Sequence, residues 1–364
     1  MSGLSFTSAS AAVQSAGSPS FLGCTHALRS RVQGQRRATQ LRVVSERVLI
    51  ANTKGGGHAF IGLHLAEQLL QAGHEVTILN DGDEGKQTKK APYNQYASLK
   101  EKGVQIVWGD PSQPEVLPST DFDVVVDNNG KTLEVCKPLI DAFKGKVQHY
   151  MFVSSAGAYN ANSVEPMHVE GDPRKSSAGH VAVEQYLASE GLPFTIFQPL
   201  YIYGPHTGKD CEQWFIDRVI RDRPVPIPTP GMQLVTLTHV EDVASMIAAV
   251  PGNQKAIGQT YNICSDRQVT FDGMTRLTAS ALGKTPQIHH YDPKAVGLGK
   301  GEGFPFRTVH FFASSDKAKR ELGWQPKHSP AADIGSLVEA YKQSGRDKAD
   351  IDFSVDDKIL SASK

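Results

Sequence analysis

Arg47–Gly62 reads RVLIANTKGGGHAFIG. Arg47–Ala51 is a short apolar run, the pattern of a buried strand. Gly55, Gly56 and Gly57 follow. A helix is expected from about His58, because Ile61, Leu65 and Leu69 recur at helical spacing. Strand, glycine-rich turn and helix is the arrangement that presents backbone N–H groups and a helix N-terminus to a pyrophosphate. The usual spacing is G-x-G-x-x-G or a form one residue wider. Gly56 and Gly62 fit the outer positions of the wider form, with Gly57 beside them, but Ala59 stands where the middle glycine belongs. A methyl group there opposes close approach of backbone to phosphate. Asn52–Lys54 also lengthen the turn. The stretch predicts a dinucleotide-type unit and leaves two roles open for its turn, holding a nucleotide or only packing helix on sheet.

Outward from this unit, Glu75–Leu79 reads as the second strand, with a ribose-binding carboxylate expected at its end. Asp81 can fill that role, and Asn80 competes for the place. Asp83–Lys102 is polar and carries Lys86, Lys89 and Lys90, as a solvated or a phosphate-contacting loop would. Val104–Trp108, Asp123–Asp127, Val147–Val153 and Phe194–Gln198 read as further strands, with helices at Lys131–Phe143 and Ala178–Ser189. Pro111, after the third strand, has no N–H to offer an adenine edge. This alternation predicts an α/β, Rossmann-type, doubly wound parallel sheet with right-handed crossovers. Farther on, helices are expected at Cys211–Arg221, with Trp214 and Phe215 inward, at Val240–Val250 and at Phe271–Ala281. Strands are expected at Leu234–Thr238 and Thr260–Ile263. The domain is expected to span 46–345, with a smaller C-terminal cap region mainly within 205–330 and a tail at 346–364.

Before Glu46 there is no Asp or Glu, while Arg29, Arg31, Arg36, Arg37 and Arg42 stand among many serines. That composition predicts an organellar transit peptide over residues 1–45, cleaved between about Arg37 and Glu46. The whole chain balances 38 basic against 38 acidic residues, so removing five arginines leaves a net charge near −5. Such a body lacks a global basic footprint, and any polyanion must meet a local patch. Cys136, Cys211 and Cys264 show neither CxxC spacing nor a disulfide framework. No apolar run approaches membrane-spanning length.

Phe60-Ile61-Gly62, Ser154-Ser155-Ala156-Gly157, Tyr201-Ile202-Tyr203-Gly204-Pro205, His239-Val240-Glu241-Asp242, Tyr261-Asn262-Ile263 and Leu322-Gly323-Trp324 together resemble the extended short-chain dehydrogenase/reductases, which include NAD-dependent sugar-nucleotide epimerases. That resemblance implies a Tyr-x-x-x-Lys pair, with a glutamate four residues past the lysine. Glu184 matches the glutamate, which puts Ser176 in the tyrosine position and His180 in the lysine position. A serine hydroxyl is far less acidic than a phenol, and a neutral imidazole supplies no fixed charge. An epimerase or reductase would therefore need another proton donor, with Tyr159 the candidate. Tightly bound NAD(P) is not expected, although Gly56, Gly57, Gly62 and Asp81 mark where it would lie.

A fuller resemblance rests on Asn52-Thr53-Lys54-Gly55-Gly56-Gly57-His58-Ala59, Asp127-Asn128-Asn129-Gly130-Lys131, His168-Val169-Glu170-Gly171-Asp172, Asp210-Cys211-Glu212-Gln213-Trp214-Phe215, His290-Tyr291-Asp292-Pro293-Lys294, Phe304-Pro305-Phe306-Arg307 and Ile351–Leu360. These resemble the a-type chloroplast stem-loop-binding proteins of 41 kDa. The resemblance implies a stromal protein that binds stem-loop mRNA or rRNA. It also implies association with chloroplast ribosomes and the plastid transcription machinery, and an oligomer of like chains or with a related b-type protein. A divalent-metal-assisted endoribonuclease activity is implied too, as is the alternative of a non-catalytic structural partner of the ribosome. For RNA, Ile288–Phe312 supplies cations and rings around a glycine-rich middle, with Lys294, Lys300, Arg307 and His310 as contacts; Arg218 and Arg221 form a second cluster. Mg²⁺ would want carboxylates, with Asp110, Asp127 and Asp172 as candidates. Metal-free cleavage would want a base, with His58, His168 and His180 as candidates.

Overall fold

The computed structural model describes residues 45–52, 59–207, 210–299 and 301–362. The expected leader, Gly55, Gly56, Gly57, His58 and Lys300 lie outside the described residues. Strands β1 (Arg47–Asn52), β2 (Glu75–Asn80), β3 (Gln105–Trp108), β4 (Val124–Asn128), β5 (His149–Val153), β6 (Phe194–Pro199) and β7 (Gln259–Ile263) form a seven-stranded sheet in the order β7-β6-β5-β4-β1-β2-β3. Every pairing within it is parallel. A parallel sheet is covered on both faces, so its strands are apolar on both. Val48 and Ile50 face one core, and Leu49 and Ala51 the other, all at 0% exposure.

Helix α1 (Ala59–Gln71) covers the first face together with α5 (Val240–Ala248), through Leu65, Leu69, Val243 and Ile247. On the second face, α2 (Leu133–Phe143) and α3 (Gly179–Ser189) bury Leu139, Ile140, Phe143, Val183 and Leu187. Each such side chain contributes roughly 1.5–3 kcal/mol on burial. Strand order reverses between β1 and β4, so the crevice for a ligand opens at their carboxyl ends.

Three neighbouring strands, β1, β2 and β4, finish in asparagine. The Asn128 Nδ2–H donates to Asn52 Oδ1 (3.0 Å), Asn52 Nδ2–H to the Tyr96 hydroxyl (3.1 Å), and Tyr96 O–H to Asn80 Oδ1 (3.1 Å). Gly62 is required beside this chain of amides, because a Cβ there would stand 2.2 Å from Asn52 Oδ1. Tyr96 belongs to the segment read as a polar loop, and there the structure differs. Residues Tyr96–Glu101 are helical, and Tyr93, Tyr96 and Leu99 are buried, the two tyrosine rings packing against Trp108.

Past β6 the chain makes short ladders. Tyr201–Tyr203 pairs in parallel with Leu237–His239, and Val225–Pro228 with Ile288–Tyr291. The single strand expected at Leu234–Thr238 is split, with Leu234–Val235 pairing instead with Val269–Thr270. Helices α4 (Glu212–Ile220), α6 (Phe271–Ala281) and α7 (Pro330–Gln343) surround an aromatic core of Trp214, Phe215, Phe271, Phe304 and Phe306. Trp214 and Phe215 thus point inward as their spacing indicates. Phe304 and Phe306 do not offer rings to bases: they are 4% and 6% exposed. The glycine-rich middle of this stretch makes turns, with positive φ at Gly297, Gly301 and Gly303. Helix α8 (Ser354–Ala362) closes the chain against α4.

Candidate functional site

A cavity of 660 Å³ opens at the carboxyl edge of the sheet. One wall is the Asn128–Thr132 turn leaving β4; the others come from Ser154, Ser155 and Gly157 after β5, from Pro199–Ile202 after β6, and from Arg307 and Phe311. Helix α2 starts at this wall with Thr132 as its N-cap, and its hydroxyl makes no capping bond. Helix α3 starts there too, with His180 lining the cavity and Ala178 as a cap that has no side-chain acceptor. Gly179 lets the two helix starts meet, since a Cβ on it would be 2.1 Å from the Lys131 carbonyl oxygen. Both positive helix ends therefore face one space.

Arg307 is fixed in the wall from three sides. Its backbone N–H donates to the Tyr201 hydroxyl (2.8 Å), its guanidinium donates to the Gly157 carbonyl, and it lies over the Phe311 ring at 4.1 Å. Lys175 Nζ donates to the same Gly157 carbonyl (3.1 Å). Lys131 is exposed and has no side-chain partner among the described residues. The acidic member of the wall, Asp210, is paired with Arg346 (3.2 Å).

The remaining candidates are scattered. Ser176 is exposed ahead of α3, and Glu184 is held by Arg174 (2.8 Å) and by the Ser154 hydroxyl. Tyr159 is fully buried behind the cavity wall, its hydroxyl 2.6 Å from Gln198 Oε1 and 2.9 Å from Asn262 Oδ1. Burial pushes its phenol well above the ordinary range, which opposes use as a proton donor. The imidazole of His168 is stacked on the Tyr159 ring at 4.7 Å, and burial lowers its pKa. Asp81 is half-buried at the end of β2, while Asn80 beside it is buried and bonded to Tyr96. Lys294 is exposed, and His310, also exposed, accepts the Leu234 N–H through Nδ1 (2.9 Å).

Arg218 and Arg221 are corrected by the structure. Arg218 is 6% exposed, lies 3.6 Å over the Trp214 ring and pairs with Asp356 at 2.7 Å. Arg221 donates to the carbonyls of Asp217, Arg346 and Ala349 and to the Tyr341 hydroxyl. These guanidiniums buckle the C-terminal segment to α4 and are not a surface cluster for phosphate.

The metal candidates are corrected likewise. Asp127 is fully buried under Tyr150 (2.7 Å) and the Asn129 N–H (3.0 Å), and burial pushes it up to about 6. Asp110 holds Ser112, and Asp172 holds the Val169 N–H and faces His168, so the three carboxylates do not meet. The histidine–carboxylate group that does gather is His239, His328 and Asp333, whose donor atoms lie within 4.8 Å of one another. Its geometry opposes an ion. The two rings stack at 3.9 Å and 16°, and parallel rings cannot both aim in-plane lone pairs at one point. His239 Nδ1 accepts the Glu241 N–H (3.2 Å), which leaves the proton on Nε2. The group works as a clasp, with Asp242 accepting the N–H groups of Lys327 and His328 at 2.9 and 3.0 Å.

Residues 55–264 match the NAD dependent epimerase/dehydratase family. The chloroplast stem-loop binding protein of 41 kDa b of Arabidopsis thaliana is 37% identical over 319 residues, 84% of this chain and 83% of that protein. The chain belongs to this family, among the 41-kDa chloroplast stem-loop-binding proteins. It is a chloroplast protein, as its relative is. The UDP-glucose 4-epimerase of Corynebacterium glutamicum is 24% identical, across 78% of this chain and 92% of that enzyme. The UDP-glucuronic acid 4-epimerase of Bacillus cereus, solved with UDP-glucuronic acid and NAD, superposes with a TM-score of 0.64 at 18% identity, covering 82% of this chain and 99% of that one. That likeness shows the shared fold. Among the described residues no helix is long and apolar enough to cross a membrane.

The family description raises NAD, and the donor set at the cavity bears on it. Counted back from Glu184, the positions that the resemblance gives to the family's tyrosine and lysine hold Ser176 and His180, and Tyr159 is shut behind the wall. Hydride chemistry does not fit these residues. Sequence reading placed the two helix starts but did not assign them, or Lys131, Lys175 and Thr132, to a site. Their signal was present, since Asn128–Lys131 directly follows a parallel strand, and such loops form the ligand crevice.

Proposed function

We propose that this chain binds stem-loop RNA in the chloroplast stroma, on an epimerase fold without the proton-transfer pair of a dehydrogenase. The observation that carries this reading is the carboxyl-edge cavity. Lys131 and Arg307 line it, and Lys175 donates to the Gly157 carbonyl of its wall, in a chain that is mildly acidic once the five arginines of the expected leader are set aside. Similarity to the stem-loop binding protein of Arabidopsis thaliana supports the same reading. The reading expects no tightly bound NAD(H) or NADP(H), given Ala59, Pro111, Ser176 and His180. It also expects association with chloroplast ribosomes and the transcription machinery, with RNA as the common element.

Cleavage is a separate matter, because Asp110, Asp127 and Asp172 are dispersed. Labelled stem-loop RNA is incubated with the purified chain in Mg²⁺ or EDTA, at several salt concentrations. Saturable, salt-sensitive retention of intact RNA supports binding. Mg²⁺-dependent fragments that co-purify with the chain through every column would add the endoribonuclease. Absence of retention at low salt would end the RNA reading.

A further inference from the structure

We infer that the C-terminal segment supplies a counter-charge to the RNA site: Arg346 cancels Asp210 in the cavity wall and so leaves that wall open to a polyanion. This rests on the RNA reading and gives Arg346 a role in specificity. The entry to α4 is acidic. Asp210 is exposed and lines the cavity, while Glu212 and Asp217 are buried just behind it. Glu212 accepts the Gly204 N–H at 3.4 Å, and burial pushes its carboxyl up to about 7. Asp217 takes the Arg346 guanidinium side-on, from Nε at 3.0 Å and from Nη2 at 2.7 Å. The same Nη2 donates to Asp210 Oδ1 at 3.2 Å. A buried carboxylate thus fixes the planar fork, and the edge of the fork reaches the carboxylate of the wall.

The segment after α7 is built to hold that fork. Gly345 turns the chain at φ 76°. Arg221 then donates to the Arg346 and Ala349 carbonyls at 2.8 and 2.9 Å, and the Tyr341 hydroxyl donates to Asp217 Oδ1 at 2.5 Å. Farther on, α8 is locked down by the Arg218–Asp356 pair and by fully buried Ile359. Arg221 and Arg346 together balance Asp217 and Asp210. Without Arg346 one carboxylate in the cavity wall stands uncompensated, and it repels phosphate in a way that salt screens. An ion pair that only tied down the chain end would be indifferent to the charge at position 210.

The test measures retention of labelled stem-loop RNA by the purified full chain, by Arg346→Ala, by Asp210→Asn and by the double variant. A salt series is run for each, with melting followed in parallel. Expected is binding about two- to fivefold weaker in Arg346→Ala at low salt, the difference fading as salt rises. Asp210→Asn alone should bind RNA more tightly by a similar factor, and combined with Arg346→Ala it should restore the parent affinity. Arg346→Lys keeps the charge and should stay within about twofold of the parent. If Arg346→Ala does not fold, Asp210→Asn decides alone, since its position is exposed. Unchanged affinity in Asp210→Asn overturns the inference and leaves the RNA reading standing. So does a loss in Arg346→Ala that Asp210→Asn fails to restore. No retention by the parent chain at low salt removes the RNA reading and this inference with it.

Discussion

Arg307→Ala separates a docking residue from a structural one. Arg307 donates to the Gly157 carbonyl, covers Phe311 at 4.1 Å and lines the cavity. If its guanidinium also meets a phosphate, truncation costs about 1–3 kcal/mol of affinity, roughly a 5- to 150-fold weaker dissociation constant. One phosphate contact fewer also lowers the salt slope by about 0.7–0.9 in log–log units. The structural share is calculable too. A hydrogen bond from a charged donor contributes about 1.5–3 kcal/mol, less at a half-exposed site, and the ring contact about 0.5–1 kcal/mol. The variant should therefore lose about 1–3 kcal/mol of stability. At about 2–4 °C per kcal/mol, melting falls by roughly 2–12 °C. Arg307→Lys keeps the charge and loses the planar fork, so its salt slope should stay near that of the parent while affinity drops modestly. Stem-loop binding by filter retention across a salt series, with melting followed by circular dichroism, measures both quantities on each variant. A folded Arg307→Ala protein with unchanged affinity and unchanged salt slope refutes the docking role.

Asp356→Ala leaves Arg218 buried and unpaired, and urea unfolding should show a loss of about 3–5 kcal/mol; a loss under 1 kcal/mol would mean that α8 does not hold α4. Gly62→Ala drives a methyl group to 2.2 Å from Asn52 Oδ1 and should destabilise by about 1–3 kcal/mol in the same assay. The Asp127 carboxyl, raised to about 6 by burial, favours the folded chain only while protonated. Its contribution is complete below the unfolded value near 4, shrinks as pH rises toward 6 and is constant above. Asp127→Asn should flatten the stability profile between about pH 4 and 6, and an unaltered profile speaks against the shift. Calorimetry with NAD(H) and NADP(H) should find no tight binding, and a micromolar dissociation constant would overturn the non-dehydrogenase reading.

The sequence by itself determined the order of the sheet elements. Strand and helix periods are local properties, and the runs at Arg47–Ala51, Glu75–Leu79 and Phe271–Ala281 were legible because neighbours in sequence share one environment. The same local legibility gave the family, through motifs at strand ends, and gave the replacement of tyrosine and lysine by Ser176 and His180. What only the tertiary structure decided concerns charge and burial. Arg218 and Arg221 share one face of a helix, which reads as a basic patch, yet their partners Asp356 and Arg346 lie 138 and 125 residues away. Phe304 and Phe306 look available for bases until Trp214 and Phe271 close over them. Asp127 looks like a ligand until Tyr150 from the neighbouring strand covers it. Arg307 and Gly157 stand 150 residues apart and share one hydrogen bond at the cavity. A side chain's solvation is set by whatever the fold brings against it, and one-dimensional spacing carries no record of that encounter.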